Sequence, residues 1–318
     1  MHQHIQQYLD DVKASKAKST FQTRQSDLRA FDEFLAEKDM EPTEVDAWTI
    51  HQFLRREEND GYADWTVQGR YQSIKNLYAF LAGTRGLMDE SPFEGDGLKR
   101  SDFGGRESVK SETADIVYIQ PEEMEQLAEN VPQPKLRNEL MVRLLWQTGL
   151  RRSEIAIIEL DNIDYEERSI KVWSPKTEDW RTVYYQASLD TLLTTWVDRG
   201  GRLSFAEAQE SEYLFPTARA EHIVPMQVNE IVKKAAENAG IQEVMNRDAM
   251  GRPWHRVTAH ALRHGHAVES LKSGIDVRTV QKHLGHTDIE TTMEYLQLID
   301  DDVKEAYQRF GTSEESTA

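Results

Sequence analysis

Between residues 1 and about 92 the apolar positions recur three and four apart, which gathers them on one face of a helix. Ser19-Thr20 can cap a helix carrying Leu28, Phe31, Phe34 and Leu35. Pro42-Thr43 opens a short segment leading to Trp48, Ile50, Phe53 and Leu54, and Gly61 breaks it. Thr66 precedes a further run, Val67, Tyr71, Ile74, Leu77, Tyr78 and Leu81, which Gly83 and Gly86 end. The pattern predicts a small all-α domain of about four helices over residues 1–92. From Ser91 to Thr113 it lapses into Gly, Ser, Asp and Lys, as in Pro92-Phe93-Glu94-Gly95-Asp96-Gly97 and Gly104-Gly105, which predicts a linker over 93–118.

Patterning returns for residues 119–318. Pro121-Glu122-Glu123 suits a helix start, and Leu136, Leu140, Leu144 and Leu145 mark a helix ending at Gly149. Residues 162–173 and 180–185 place Ile163, Ile170, Val172 and Val183 in β-type alternation, so the two runs are expected to pair. Helices are predicted again at 228–239, 261–273, 277–284 and 289–298, with Gly240, Gly274 and Gly285 each closing one. The tail from Ser313 is expected to fray. The whole reads as a mostly α chain with a small β-sheet, an α+β architecture in two domains.

Composition narrows the class. A chain of 318 residues has ample core for two domains. No run of about eighteen apolar residues and no signal pattern is present, so a soluble, cytoplasmic protein without membrane partners is expected. The absence of cysteine excludes disulfides, thiolate catalysis and cysteine-ligated zinc. Lys+Arg 38 against Asp+Glu 56 gives a net charge of -18, the reverse of the usual balance in a nucleic-acid binder. Two readings stand. Basic residues are concentrated on one face while carboxylates crowd the outside, or the surface is adapted to a very salty, halophilic cytoplasm.

The chemistry-bearing residues cluster late in the chain. Arg151 follows Gly149-Leu150 and precedes a short helical turn, where a guanidinium beside a helix start suits an anion. Glu154, three residues on, can hold that side chain. Lys176 sits in the turn between the two strand-like runs, able to deliver an ammonium as an acid. His260 and Arg263, at i and i+3, share one helix face and can touch one phosphate. His264 faces the side of Ala267, Val268 and Leu271 and is expected to pack. His286 follows Leu284-Gly285. Tyr295 points about a third of a turn away from a stripe of Ile289, Met293 and Leu296, unlike a tyrosine that only packs. His260, His264, His266, His283 and His286 also raise a metal centre, but His-Glu-x-x-His and cysteine are both missing, so no metal is expected.

Taken in order, Thr148-Gly149-Leu150-Arg151-Arg152-Ser153-Glu154, Lys176, His260-Ala261-Leu262-Arg263-His264, Leu284-Gly285-His286 and Tyr295 resemble the motifs of the tyrosine recombinase (phage integrase) family, its Xer-like and archaeal integrases above all. The segment from Thr23-Arg24 to Phe34-Leu35 is similar to that family's helical core-binding domain. The hairpin turn Lys176-Thr177-Glu178-Asp179-Trp180-Arg181 departs from the family in lacking a glycine and a second lysine. The resemblance implies an N-terminal four-helix, SAM-like core-binding domain and a C-terminal catalytic domain, together forming a C-shaped clamp on DNA. It implies a site-specific recombinase or integrase that cuts and rejoins duplex DNA through a 3′-phosphotyrosyl intermediate, with no metal, ATP or other cofactor, as a homotetramer on its recombination site. Its catalytic set would be Arg151, Lys176, His260, Arg263, His286 and Tyr295, supported by Glu154.

Candidate phosphate contacts elsewhere are Lys13, Lys16, Lys18, Arg24, Arg70 and Lys75 in the first domain and Lys99 and Arg100 in the linker. Two rivals remain. A type IB topoisomerase would share the chemistry and relax supercoils without exchanging partners. A non-catalytic DNA-binding relative would not need the full residue set.

Overall fold

The computed structural model describes residues 1–95, 98–103, 116–247, 251–296 and 298–299. The chain divides into two compact units, Met1–Ser111 with Asn246–Trp254, and Glu112–Met245 with His255–Ala318.

Among the described residues, four α-helices build the first unit: α1 (Gln3–Ser15), α2 (Lys18–Glu37), α3 (Ala47–Asn59) and α4 (Asp64–Ala79). Their apolar faces close on a core rich in aromatic rings, with Phe31 against Phe34, Phe53 and Tyr78 at centroid distances of 5.2 to 6.5 Å. The helix starts differ from those expected. α2 begins at Lys18 after an uncapped Ala17, and α4 at Asp64 after Ala63, whereas Asp46 caps α3 by accepting from Thr49 N at 2.8 Å. Trp48, read as apolar face, is 62 % exposed. Part of the stretch read as linker is core: Leu98 and Phe103 are buried, and Tyr71 Oη donates to Leu98 O at 2.9 Å. Isolated apolar residues among Gly and Ser leave no periodicity to read. Residues 104–115 lie outside the described residues.

The second unit has a larger core built from α5 (Pro121–Glu129), α6 (Lys135–Thr148), α7 (Arg152–Ile155), α8 (Asp190–Val197), α9 (Pro225–Ala239) and α10 (Ala259–Lys272) around a three-stranded antiparallel sheet. In that sheet β1 (Ile163–Asp164) pairs with β2 (Ser169–Ser174), and β2 with β3 (Asp179–Tyr184), in a register that faces Val172 with Arg181 and Ser174 with Asp179. A two-stranded sheet, β4 (Val244–Arg247) with β5 (Pro253–His255), was not anticipated. Its β4 residues are all exposed, so no alternation marks it. Beyond α10 come α11 (Val277–Leu284) and helical residues 290–296, which with α10 form a smaller cluster of Ala267, Val268, Val280, Leu284 and Tyr295. The fold is therefore mostly helical with small sheets. Among the described residues no helix is long and apolar enough to cross a membrane.

Candidate active site

Two glycines set the floor of the site. Gly149 ends α6 at φ 61° and Gly285 ends α11 at φ 67°, a region that L side chains rarely adopt. A Cβ on Gly149 would lie 2.6 Å from both His266 and Leu284, and one on Gly285 would lie 3.0 Å from Arg181 Cδ. Glycine thus lets two helix ends close in and leaves their carbonyls pointing inward as acceptors.

The arginines use those carbonyls. Arg263, 1 % exposed, donates from its two terminal nitrogens to Gly149 O at 2.6 Å and Leu284 O at 2.8 Å. Arg151 donates to Gly285 O at 3.0 Å and to Glu154 Oε1 at 2.8 Å, while its backbone N–H donates to Glu154 Oε2 at 2.8 Å. Each guanidinium is fixed from behind, which pre-orients its remaining N–H groups.

Glu154 is buried between two cations. Arg181 forks onto both its oxygens at 2.8 Å and sends Nε to His283 O at 2.8 Å. Burial pushes the carboxyl up, but the Arg181 bonds and the charges of Arg181 and Arg151 outweigh it and hold Glu154 at about 2. Burial, with Arg151 beside it, lowers Arg263 to about 9, still a cation at neutral pH.

Three histidines and Tyr295 complete the arrangement. His286 Nδ1 lies 2.8 Å from Thr292 Oγ1, and His264 Nδ1 lies 2.7 Å from Tyr295 Oη. The His260 and His264 rings are 4.1 Å apart, and those of His286 and Tyr295 6.3 Å. Desolvation, then the nearby Arg263 and Arg151 charges, lowers His260 to about 4 and His286 to about 3; burial, then His260 and Arg263, lowers His264 to about 3. All three imidazoles are therefore neutral at pH 7. Burial raises Tyr295 to about 12 against the pull of Arg263, so it stands as a neutral phenol.

Arg151, Glu154, His260, Arg263, His286 and Tyr295 thus come together. Lys176 is exposed in the β2–β3 turn, near enough that its charge contributes to lowering His260. The tyrosine's setting differs from expectation. Tyr295 is 2 % exposed and Thr292 fully buried, whereas Met293 is 45 % exposed, so the tyrosine lies on the packed face of its helix. A polar anchor, His264, draws it there. His264 packs inward as read, but it also holds the Tyr295 hydroxyl. Arg181 and Thr292 were not foreseen as parts of the site. Arg181 shares a strand face with buried Val183, and an inward arginine needs acceptors, which was a usable signal.

The surface candidates divide. Lys13, Lys16, Lys18, Lys75, Lys99 and Arg100 are exposed. Arg24 is half-buried, donates to Ser73 Oγ, and lines an open cleft of about 420 Å³ with Thr20, Thr23, Gln68, Gln72 and Arg100. Arg70 corrects the reading: it is 8 % exposed, paired with Glu57 and stacked 4.2 Å over the Tyr62 ring, so its charge is spent inside the first unit. Among the described residues, no three His, Asp or Glu side chains converge as metal ligands would.

Residues 118–301 match the model of the phage integrase family, and residues 5–84 match the phage integrase N-terminal SAM-like domain. The tyrosine recombinase XerC of Roseiflexus castenholzii is 29 % identical over 288 residues, covering 88 % of this chain and 83 % of the relative. The tyrosine recombinase XerA of Pyrococcus furiosus is 32 % identical over 191 residues, which is 59 % of each chain. Among solved structures, XerH recombinase bound to palindromic difH in a post-cleavage complex matches with a TM-score of 0.70 at 16 % identity, over 96 % of this chain and 83 % of that one.

Proposed function

The chain belongs to the phage integrase family, and from that premise we propose that it is a site-specific DNA recombinase that cuts and rejoins duplex DNA through a 3′-phosphotyrosyl intermediate. The observation that carries this reading is the convergence of two back-anchored arginines and a neutral histidine beside a neutral tyrosine. A scissile phosphate would accept from Arg151, Arg263 and His286 Nε2, groups suited to the charge that builds on a pentacoordinate phosphorus. Tyr295 Oη attacks phosphorus and the bond to the 5′-oxygen breaks. The phosphoryl group stays on the 3′-oxygen, now esterified to tyrosine. Lys176 protonates the departing 5′-oxygen, and neutral His260 takes the phenolic proton. Attack requires the phenol to leave His264, because its hydroxyl is bonded there and buried. One phosphodiester bond is exchanged for another, so the reaction is reversible and calls for no nucleotide.

The partner would be a double-stranded recombination site, held by the helical first domain (residues 1–92) and the catalytic domain (119–318), with four protomers in the synapse. Exposed Lys13, Lys16, Lys18, Lys75, Lys99 and Arg100 are its candidate phosphate contacts.

The test is covalent trapping. Wild type and Tyr295→Phe are incubated, at low and at multimolar salt, with nicked fragments of the parent replicon, then denatured and separated. The expected result is protein attached to DNA 3′ ends with wild type alone, and equal DNA binding by both. Binding without an adduct at any salt would replace this reading with that of a non-catalytic relative.

A further inference from the structure

Thr292 has no part in the chemistry above, yet it is fully buried one helical turn before Tyr295. A buried hydroxyl without a partner costs about 1–3 kcal/mol. Valine would fill the same space without that cost. The hydroxyl is nevertheless placed 2.8 Å from His286 Nδ1, and among the described residues it has no other side-chain partner.

The His286 ring is neutral in this setting and carries a single N–H. Which nitrogen holds that proton decides what the ring can do. With the proton on Nδ1, Nε2 presents a lone pair and repels a phosphate oxygen. With the proton on Nε2, the ring donates to that oxygen, and Nδ1 becomes an acceptor in need of a donor. The Thr292 hydroxyl, which has no other bonded acceptor among the described residues, supplies one.

We propose that Thr292 is a positioning residue whose hydroxyl donates to His286 Nδ1, fixing the Nε2–H tautomer and aiming that N–H at the scissile phosphate. The inference rests on the reading of His286 as a phosphate ligand. Thr292 and Tyr295 lie on the same buried face and contact different histidines, so the Tyr295 side chain can leave His264 by its own rotation while Thr292 keeps its bond to His286.

The test begins with the DNA-free protein. Two-bond 15N–1H correlation on 15N-histidine protein, with His286 assigned from a His286→Gln spectrum, reads the tautomer directly. Wild type and Thr292→Ser are expected to carry the His286 proton on Nε2, and Thr292→Val to lose that single pattern. On nicked DNA, single-turnover adduct formation by Thr292→Val is expected to fall at least about tenfold, the effect of a wrongly oriented imidazole. DNA affinity and melting temperature stay near wild type, and Thr292→Ser recovers the rate. A wild-type proton on Nδ1, or wild-type adduct rates in Thr292→Val, would overturn the proposal. Should Thr292→Val not fold, Thr292→Ala takes its place, and the wild-type tautomer decides regardless. If wild type itself forms no adduct, the recombinase reading fails while the tautomer measurement still stands.

Discussion

The core of the first unit and the heart of the second are equally closed to water but made of different material. Around Phe31 the first unit buries aromatic and aliphatic side chains, with the Arg70–Glu57 pair at its margin. Around Arg263 the second buries an arginine, a glutamate, a threonine and a tyrosine, each satisfied by a named partner. The first arrangement gives stability by removing apolar surface from water. The second holds charged groups dry and oriented, which costs stability and suits the proposed reaction, in which negative charge would build on phosphorus. Substitutions in the two regions should therefore fail in different ways.

The largest effect is expected for Arg263→Ala. It removes a cation from the site and strands Gly149 O and Leu284 O, so adduct formation should fall by at least about 10³ and stability by roughly 1–3 kcal/mol per orphaned group. Single-turnover trapping and urea denaturation would measure the two losses separately. Phe31→Ala should cost about 3–5 kcal/mol yet leave the 15N-histidine spectrum of the second unit unchanged. A shifted His286 resonance would mean that the two regions are not independent.

Acid should also separate them. Among the described residues, the five histidines held well below the ordinary value, His260, His264, His266, His283 and His286, are all in the second unit. Burial sets His266 at about 3, against about 6.5 when unfolded. A folded value below the unfolded one means that the unfolded chain takes up the proton first. The stability is whole above pH 6.5 and drains as pH falls toward 3. His266→Gln should accordingly lose about 2 kcal/mol less than wild type between pH 7 and pH 5 in chemical denaturation. The smallest effect belongs to the surface of the first unit. Arg29 and Glu33 pair at 3.1 Å with side chains 73 % and 64 % exposed, so Arg29→Ala should change stability by under about 0.5 kcal/mol.

The same contrast governs how much could be read without coordinates. Periodicity reported the apolar core well. The faces of α2 and α4 and the bounds of α11 follow directly from residue spacing, as does the shared face of His260 and Arg263. The polar site was legible only through its motifs, because its acceptors are largely backbone carbonyls, and carbonyls carry no residue identity. Nothing in the sequence around Arg181 names His283 O as its partner, and nothing around Thr292 names His286. Apolar spacing alone puts Tyr295 off the packed face of its helix, because hydrophobicity does not report the hydrogen bond that holds it there. Met293, the more apolar neighbour, points to solvent, while hydrogen bonds hold Thr292 and Tyr295 inside. Arg70 misled for the converse reason, since a positive charge in a helix looks the same from sequence whether it meets a phosphate or Glu57.

The most direct measurement is the identity of the linked residue. Protein trapped on nicked DNA would be digested with protease and nuclease, and the nucleotide-bearing peptide sequenced by mass spectrometry. The expected species is a peptide containing Tyr295 with a 3′-linked nucleotide on its phenolic oxygen. A nucleotide on any other residue, or one joined through its 5′ phosphate, would contradict the assignment of Tyr295 as the nucleophile held among Arg151, Arg263 and His286.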